Sequence, residues 1–156
     1  MSSGISWLER CCRSAGRGYR FKSACQFSTT VNGVDVCEPA PGLCEDALRL
    51  GRILAELAPK EPEVHGLVAL MEIQTSRARA RVDSSGQPIL LLDQNRGLWD
   101  QLLIRRGLAA LERAEKLGGG QGPYALQASI AACHARALTP EETDWERIVA
   151  LYDALV

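Results

Sequence analysis

The sequence predicts an all-α fold, an antiparallel array of helices with one short β-ribbon inserted in it. Three observations carry this expectation. Apolar residues recur at steps of three and four through five successive segments from Leu43 onward. Ala and Leu supply most of the apolar side chains, while only 5% of residues are aromatic, a composition suited to close-packed helices. Proline or glycine stands at the ends of most of these segments, where helices start and stop.

The first segment, Leu43 to Ala58, places Leu43, Ala47, Leu50, Leu54 and Leu57 on one stripe that is expected to face inward, and Pro59 stops it. A second helix opens at Pro62, a suitable first-turn residue, and runs to Arg81 with Val64, Leu67, Val68, Met71 and Thr75 inward. In the stretch VDSSGQPILLLD, Ser85-Gly86 supplies a turn and Ile89 to Leu92 a short apolar run, which reads as a two-stranded ribbon or an ordered loop. A third helix from Arg96 to Leu117 is closed by Gly118 to Gly120. Pro123 opens a fourth, PYALQASIAACHARA, whose Ala128, Ala131, Ala132 and Ala135 permit close helix contact. Thr143 or Asp144 is the N-cap of a fifth, Trp145 to Leu155, with Ile148, Leu151, Tyr152 and Leu155 on its apolar face. A small residue twelve positions before a terminating proline, Ala47 to Pro59, is the spacing of a tetratricopeptide repeat, so a repeat-like array is expected. The inserted ribbon breaks the 34-residue period of such repeats.

Residues 1–42 read differently. They hold five basic residues (Arg10, Arg13, Arg17, Arg20, Lys22) and three acidic ones (Glu9, Asp35, Glu38) among scattered Gly, Ser and Cys, with no sustained period. Such a segment buries too little apolar surface to offset its ordering entropy, and is expected to be irregular. A hairpin signal sits inside it, Asn32-Gly33 flanked by apolar residues between Thr29 and Val36. The domain boundary therefore falls at residues 42 and 43, with 43–156 as the helical domain.

Composition excludes several function classes. A formal net charge of -1 gives no global basic field, so direct DNA binding is not expected. No apolar run approaches the roughly 18 residues of a spanning helix, and the start of the chain lacks a secretory signal, so no membrane association and a cytoplasmic location are expected. The six cysteines, Cys11, Cys12, Cys25, Cys37, Cys44 and Cys133, show no regular spacing and read as reduced thiols.

The chemistry-bearing residues do not assemble into a catalytic constellation. Glu63, His65 and Glu72 share a helix but not the HExxH pattern of a zinc site. Cys133 and His134 are adjacent helix positions, which point about 100° apart, too divergent for a nucleophile and its base. The run GGGQGP lacks the phosphate-loop lysine and follows a helix, so it reads as a helix terminator. Arg77, Arg79 and Arg81 read as a solvated helix end complementing the dipole rather than as an anion site. Arg105 and Arg106 with Asp100, and Glu112 with Lys116, form a charged outer face, while Trp99 and Trp145 are expected to pack into the core. No enzyme activity, metal or cofactor is expected.

Four stretches carry a family resemblance: LCEDALRLGRILAEL, EVHGLVALMEIQTSRARARVDSSGQPILLLDQNRGLWD, GPYALQASIAACHA and TDWERIVALYDAL. In order and with the same intervening ribbon, they resemble the C-terminal extension of a subgroup of bacterial extracytoplasmic-function RNA polymerase sigma factors, of the sigma-70 type. The resemblance covers Leu43 to Val156 and implies a tetratricopeptide-like helical domain within a transcription-initiation family. The family's regions for binding core polymerase and reading promoters precede this extension, and residues 1–42 contain no helix-turn-helix pattern. The sequence also departs from the family where an FNEGY-type motif would precede the first matching helix, and the family continues into further helices past LYDAL. The resemblance therefore implies a fragment retaining a regulatory, protein-interaction region, with sigma domains, RNA polymerase or a regulator as protein partner. Glu72, Arg77, Trp99, Asp100 and Tyr124, polar or amphipathic groups within the matching stretches, are the candidate contact residues. The alternatives are a chain acting as a sigma factor in transcription initiation, and an enzyme joining His65, Cys133 or His134 to a carboxylate in a polar pocket.

Overall fold

The computed structural model describes residues 28–31, 34–37 and 42–155. The chain divides into two compact units, Met1–Pro41 and Gly42–Val156. In the first, the residues that carry the hairpin signal form two antiparallel strands, β1 (Ser28–Val31) and β2 (Val34–Cys37), in the register Ser28 to Cys37 through Val31 to Val34. That register leaves two residues, Asn32 and Gly33, for the connection, and these lie outside the described residues.

The second unit is all-α in its regular elements: α1 (Leu43–Leu57), α2 (Pro62–Ser76), α3 (Gln101–Lys116), α4 (Pro123–Arg136) and α5 (Trp145–Leu155). Local chemistry sets most of the ends. Pro62 and Pro123 each occupy the first turn of a helix, where a missing N–H costs nothing. Past the end of α3, Gly118 takes a φ of 84° while its N–H donates to Glu115 at 2.9 Å and that of Gly119 donates to Ala114 at 3.0 Å. This pair of bonds satisfies the last carbonyls of the helix, and the positive φ is what glycine permits. Asp144 caps α5 by accepting the N–H of Arg147 at 2.9 Å.

Two expected boundaries move. The second helix stops at Ser76, five residues before the expected Arg81, and the chain continues as a short 3-10 turn over Ala78–Ala80. The third begins at Gln101 rather than Arg96, because the Asp100 carboxylate accepts from Leu102 N–H at 2.8 Å and Leu103 N–H at 3.1 Å and so caps a new helix. Between them the segment expected as a ribbon carries one antiparallel bridge, Val82 to Pro88, around a turn held by the Asp83 carboxylate. Leu90 and Leu92 in its apolar run are exposed.

The core forms around α2, which packs against α1, α3 and α4 and therefore buries residues on several sides: His65, Val68, Ala69, Glu72, Ile73 and Ser76. Of the expected inward stripe, Val68 is buried and Val64, Leu67, Met71 and Thr75 are half-buried. Ala69 and Ile73 meet Leu111 of α3 and Ala125, Ala128, Ala131 and Ala132 of α4, the small-residue contact expected of the fourth helix. Two glycines set the spacing: a Cβ on Gly66 would lie 2.8 Å from the backbone nitrogen of Ala125, and one on Gly107 would lie 2.6 Å from Ile73 Cγ1. Helix axes this close leave no room for a side chain, so the interior is built from Ala and Gly against a few large residues.

The first helix departs most from expectation. Its leucine stripe, placed inward by the sequence reading, points out: Leu50 is 66% and Leu57 78% exposed, and Leu43 and Leu54 are exposed too. Leu48 and Gly51 lie against α2 instead, with Met71 Sδ 3.2 Å from where a Gly51 Cβ would stand. On α5, Ile148 is buried, Leu151 and Leu155 are half-buried and Tyr152 is exposed.

Candidate functional site

The five candidate contact residues divide among four settings. Glu72 is 2% exposed and accepts from Arg52 Nε at 2.8 Å, an ion pair that ties α1 to α2. Such a buried carboxylate is a packing device and has no surface to offer a partner. Asp100 caps α3, and its own N–H donates to Ser76 at 2.9 Å, locking the start of α3 to the end of α2. Tyr124 is exposed, and its backbone N–H, with that of Ala125, donates to the carboxylate of Glu63 at 3.0 and 3.5 Å. Glu63 thus caps α4 from the first turn of α2, a long-range role the sequence reading missed.

Arg77 and Trp99 are brought together. Trp99 is 4% exposed and packs with Ala80 and Ile104, as expected of a core residue. The Arg77 guanidinium stands 5.8 Å from its ring centroid, and that of Arg96 stands 4.7 Å away. Arg96 is not among the sequence candidates; it stands three residues before Trp99, at the start of the 3-10 turn Arg96–Leu98. Arg96 Nη1 donates to the carbonyls of His134 and Ala137 at the end of α4. Arg77 and Arg81 both donate to the side-chain oxygen of Gln74, and Arg81 also to its carbonyl at 2.9 Å. The expected solvated helix end is therefore corrected: Arg79 is exposed, but Arg77 and Arg81 fold back onto the protein.

Burial and like charge leave their marks on this corner. Burial, with Arg81 and Arg96 nearby, pushes the Arg77 pKa down to about 10. Burial lowers that of Arg96 too, opposed by Glu141 and Glu142. His134 is pushed down to about 4 by burial and by Arg77 and Arg96, so its ring is neutral at neutral pH. Trp145, expected in the core, is 46% exposed and meets His134 edge to face at 5.5 Å.

Both histidines, Cys44 and Cys133 are buried or half-buried. His65 Nε2 lies 3.2 Å from Arg113 Nε, while Arg113 Nη2 donates to the Pro59 carbonyl at 3.2 Å, a network holding the α1–α2 loop against α3. His65 opens on a shallow depression whose carboxylate, Glu112, is paired with Lys116 at 2.6 Å. Cys133 is buried and Cys44 half-buried, both free, and burial raises the Cys133 thiol pKa. Among the described residues, no group of three or more His, Cys, Asp or Glu is placed to hold a metal ion, and no helix is long and apolar enough to cross a membrane.

Residues 36–115, from within β2 to the last turn of α3, match a family of unknown function, DUF6596. The chain belongs to that family. The match contains the Arg52–Glu72 pair and the Arg77, Arg96 and Trp99 cluster. An uncharacterized protein of Rhizobium meliloti (strain 1021), R00370, is 52% identical over 113 residues, which are 72% of this chain and 26% of that protein. The chain spans about a quarter of the length of the curated relative it matches. No solved structure matches it.

Proposed function

We propose that residues 43–156 are a helical interaction domain of the kind attached to extracytoplasmic-function sigma factors, acting through contact with helical sigma domains. The observation that carries the reading is the outward apolar face of α1. Leu43, Leu50, Ile53 and Leu57, with Leu54 beside them, are all exposed and fall at steps of seven, three and four. That spacing is the seam of a helix that packs on another helix, and a seam of this kind is a recognition surface for an amphipathic partner. Five large apolar side chains left in water along a single helix face exceed the scattered exposure of an ordinary surface.

Two further points support the sigma-factor setting. DUF6596 is associated with sigma-factor-like proteins. The relative in Rhizobium meliloti is almost four times the length of the matched segment, which is the arrangement of a domain joined to others. In this reading the array is tetratricopeptide-like, with the Val82–Pro88 turn in place of a regular repeat junction, and the domain tunes initiation rather than reading promoter DNA. Co-purification of the chain with extracytoplasmic-function sigma domains and with core RNA polymerase tests it. Association that is lost in Leu50→Glu is expected; a folded chain that retains none of these proteins overturns the reading.

A further inference from the structure

The corner around Trp99 is richer in donors than its surroundings can use. Eight buried side-chain polar atoms lack a hydrogen-bond partner among the described residues, and five of them are here: Arg77 Nε, Arg96 Nε, Arg96 Nη2, Trp99 Nε1 and His134 Nδ1. Buried polar groups are almost always paired, so such a concentration calls for a partner that the described residues do not supply. Nε and Nη2 of Arg96 form the side-on edge of its guanidinium, the fork that grips two oxygens of one oxyanion. Its other nitrogen, Nη1, is already committed to the carbonyls of His134 and Ala137, which fixes the orientation of the fork. Trp99, whose indole N–H is unpartnered, is more than nine-tenths buried.

Charge points the same way. Arg77, Arg81 and Arg96 come together here, and the ion pairs among the described residues, Arg52 with Glu72 and Lys116 with Glu112, involve none of them. Glu141 and Glu142 lie near enough to act on Arg96 but form no ion pair with it, and the Glu142 carboxylate instead accepts the N–H of Leu138 at 3.0 Å. A structural arginine cluster would be expected to carry its own carboxylate. The short turn over Pro140–Glu142 follows closely on the Ala137 carbonyl that Arg96 holds.

We propose that Arg96, Arg77 and Trp99 form a binding site for a dianionic phosphate group, held by the Arg96 fork with Arg77 Nε and the Trp99 indole N–H. Two guanidiniums, with the charge of Arg81 near Arg77, match a dianion better than the single charge of a carboxylate. The inference is independent of the sigma-factor reading, since it concerns a ligand of this domain and not its protein partner.

Amide and indole spectra of the full chain test it, with the Trp99 indole signal identified by its loss in Trp99→Phe. Inorganic phosphate, phosphoserine and acetate are titrated at ionic strength held constant with chloride. A saturable shift of the Trp99 indole with either phosphate probe, and a weaker one with acetate, is expected. Tighter binding of phosphoserine than of free phosphate assigns an esterified ligand, and the reverse assigns the ion itself. Arg96→Lys keeps the charge and removes the fork, so affinity should fall on the order of tenfold or more. Arg77→Gln, at the other side of the cluster, gives a second readout should Arg96→Lys lose its helical spectrum. No saturable shift with either phosphate probe, tighter binding of acetate, or unchanged affinity in the folded variants overturns the site.

Discussion

The two faces of α1 differ in composition and in setting. The inner face, Leu48, Gly51 and Arg52, meets α2, where Gly51 admits the Met71 sulfur and Arg52 answers the buried Glu72 carboxylate. The outer face, Leu43, Leu50, Ile53, Leu54 and Leu57, is the more apolar of the two and is exposed. In the proposed reading, a helix that spends its small and charged residues on the fold and its leucines on the outside is divided between stability and recognition. Changes on the two faces should therefore separate, the inner ones lowering stability and the outer ones lowering association.

The largest stability effect is expected at the inner face. Arg52→Ala leaves the Glu72 carboxylate, 2% exposed, without its only partner among the described residues. Breaking a buried pair from one side costs about 3 to 5 kcal/mol. Because Arg52 is itself 40% exposed and water can enter, about 2 to 3 kcal/mol is the expected loss, read by urea unfolding. Glu72→Gln should lose less than Arg52→Ala, since an amide needs no counter-charge; equal losses would deny that the carboxylate drives the asymmetry.

A smaller effect is expected of Gly51→Val, which forces branched carbon against Met71 at the same interface. Flexible Met71 can yield, so about 1 to 2 kcal/mol is lost in thermal unfolding. A loss near zero would mean that α1 is held loosely on α2.

The background to both is pH. His134 has a pKa of about 4 in the folded chain against an ordinary 6.5, so as pH falls the unfolded chain takes up the proton first. The stabilisation it contributes is complete above about 6.5 and is lost as pH falls from there toward 4. The ring is partly open to solvent, which screens the effect to about 1 to 2 kcal/mol. His134→Gln should flatten the stability profile over that window, and a profile unchanged by the substitution would show that another group titrates.

The smallest stability effect belongs to the outer face. Leu50→Glu or Leu57→Glu places a charge on a side chain already in water, so a change within about 0.5 kcal/mol is expected in either variant. A loss of several kcal/mol would mean that this face is covered in the folded chain.

The helical nature of the second unit was legible because its signals are local. Pro62, Pro123, Gly118 and Asp144 each act within a turn of the boundary they set. The end of α2 and the start of α3 were not, since Arg77 to Arg81 are good helix formers and only packing against Trp99 and the Asp100 cap break the run. Periodicity finds a stripe but not which way it points, and α1 carries two usable faces; Gly51, a weak signal alone, marked the true contact. At the site, Arg77 and Trp99 were recognised as residues of interest, whereas Arg96, anchored on carbonyls of α4 about forty positions away, has a role that only the tertiary fold reveals.

The division of α1 is tested most directly by measuring association and stability on the same outer-face variant. Leu50→Glu is titrated against extracytoplasmic-function sigma domains by calorimetry and unfolded by heat alongside the parent chain. Binding by the parent, its loss on the order of tenfold or more in the variant, and superimposable unfolding curves are the expected result. Equal binding by parent and variant, or a variant that binds poorly only because it has unfolded, would contradict a face reserved for a partner.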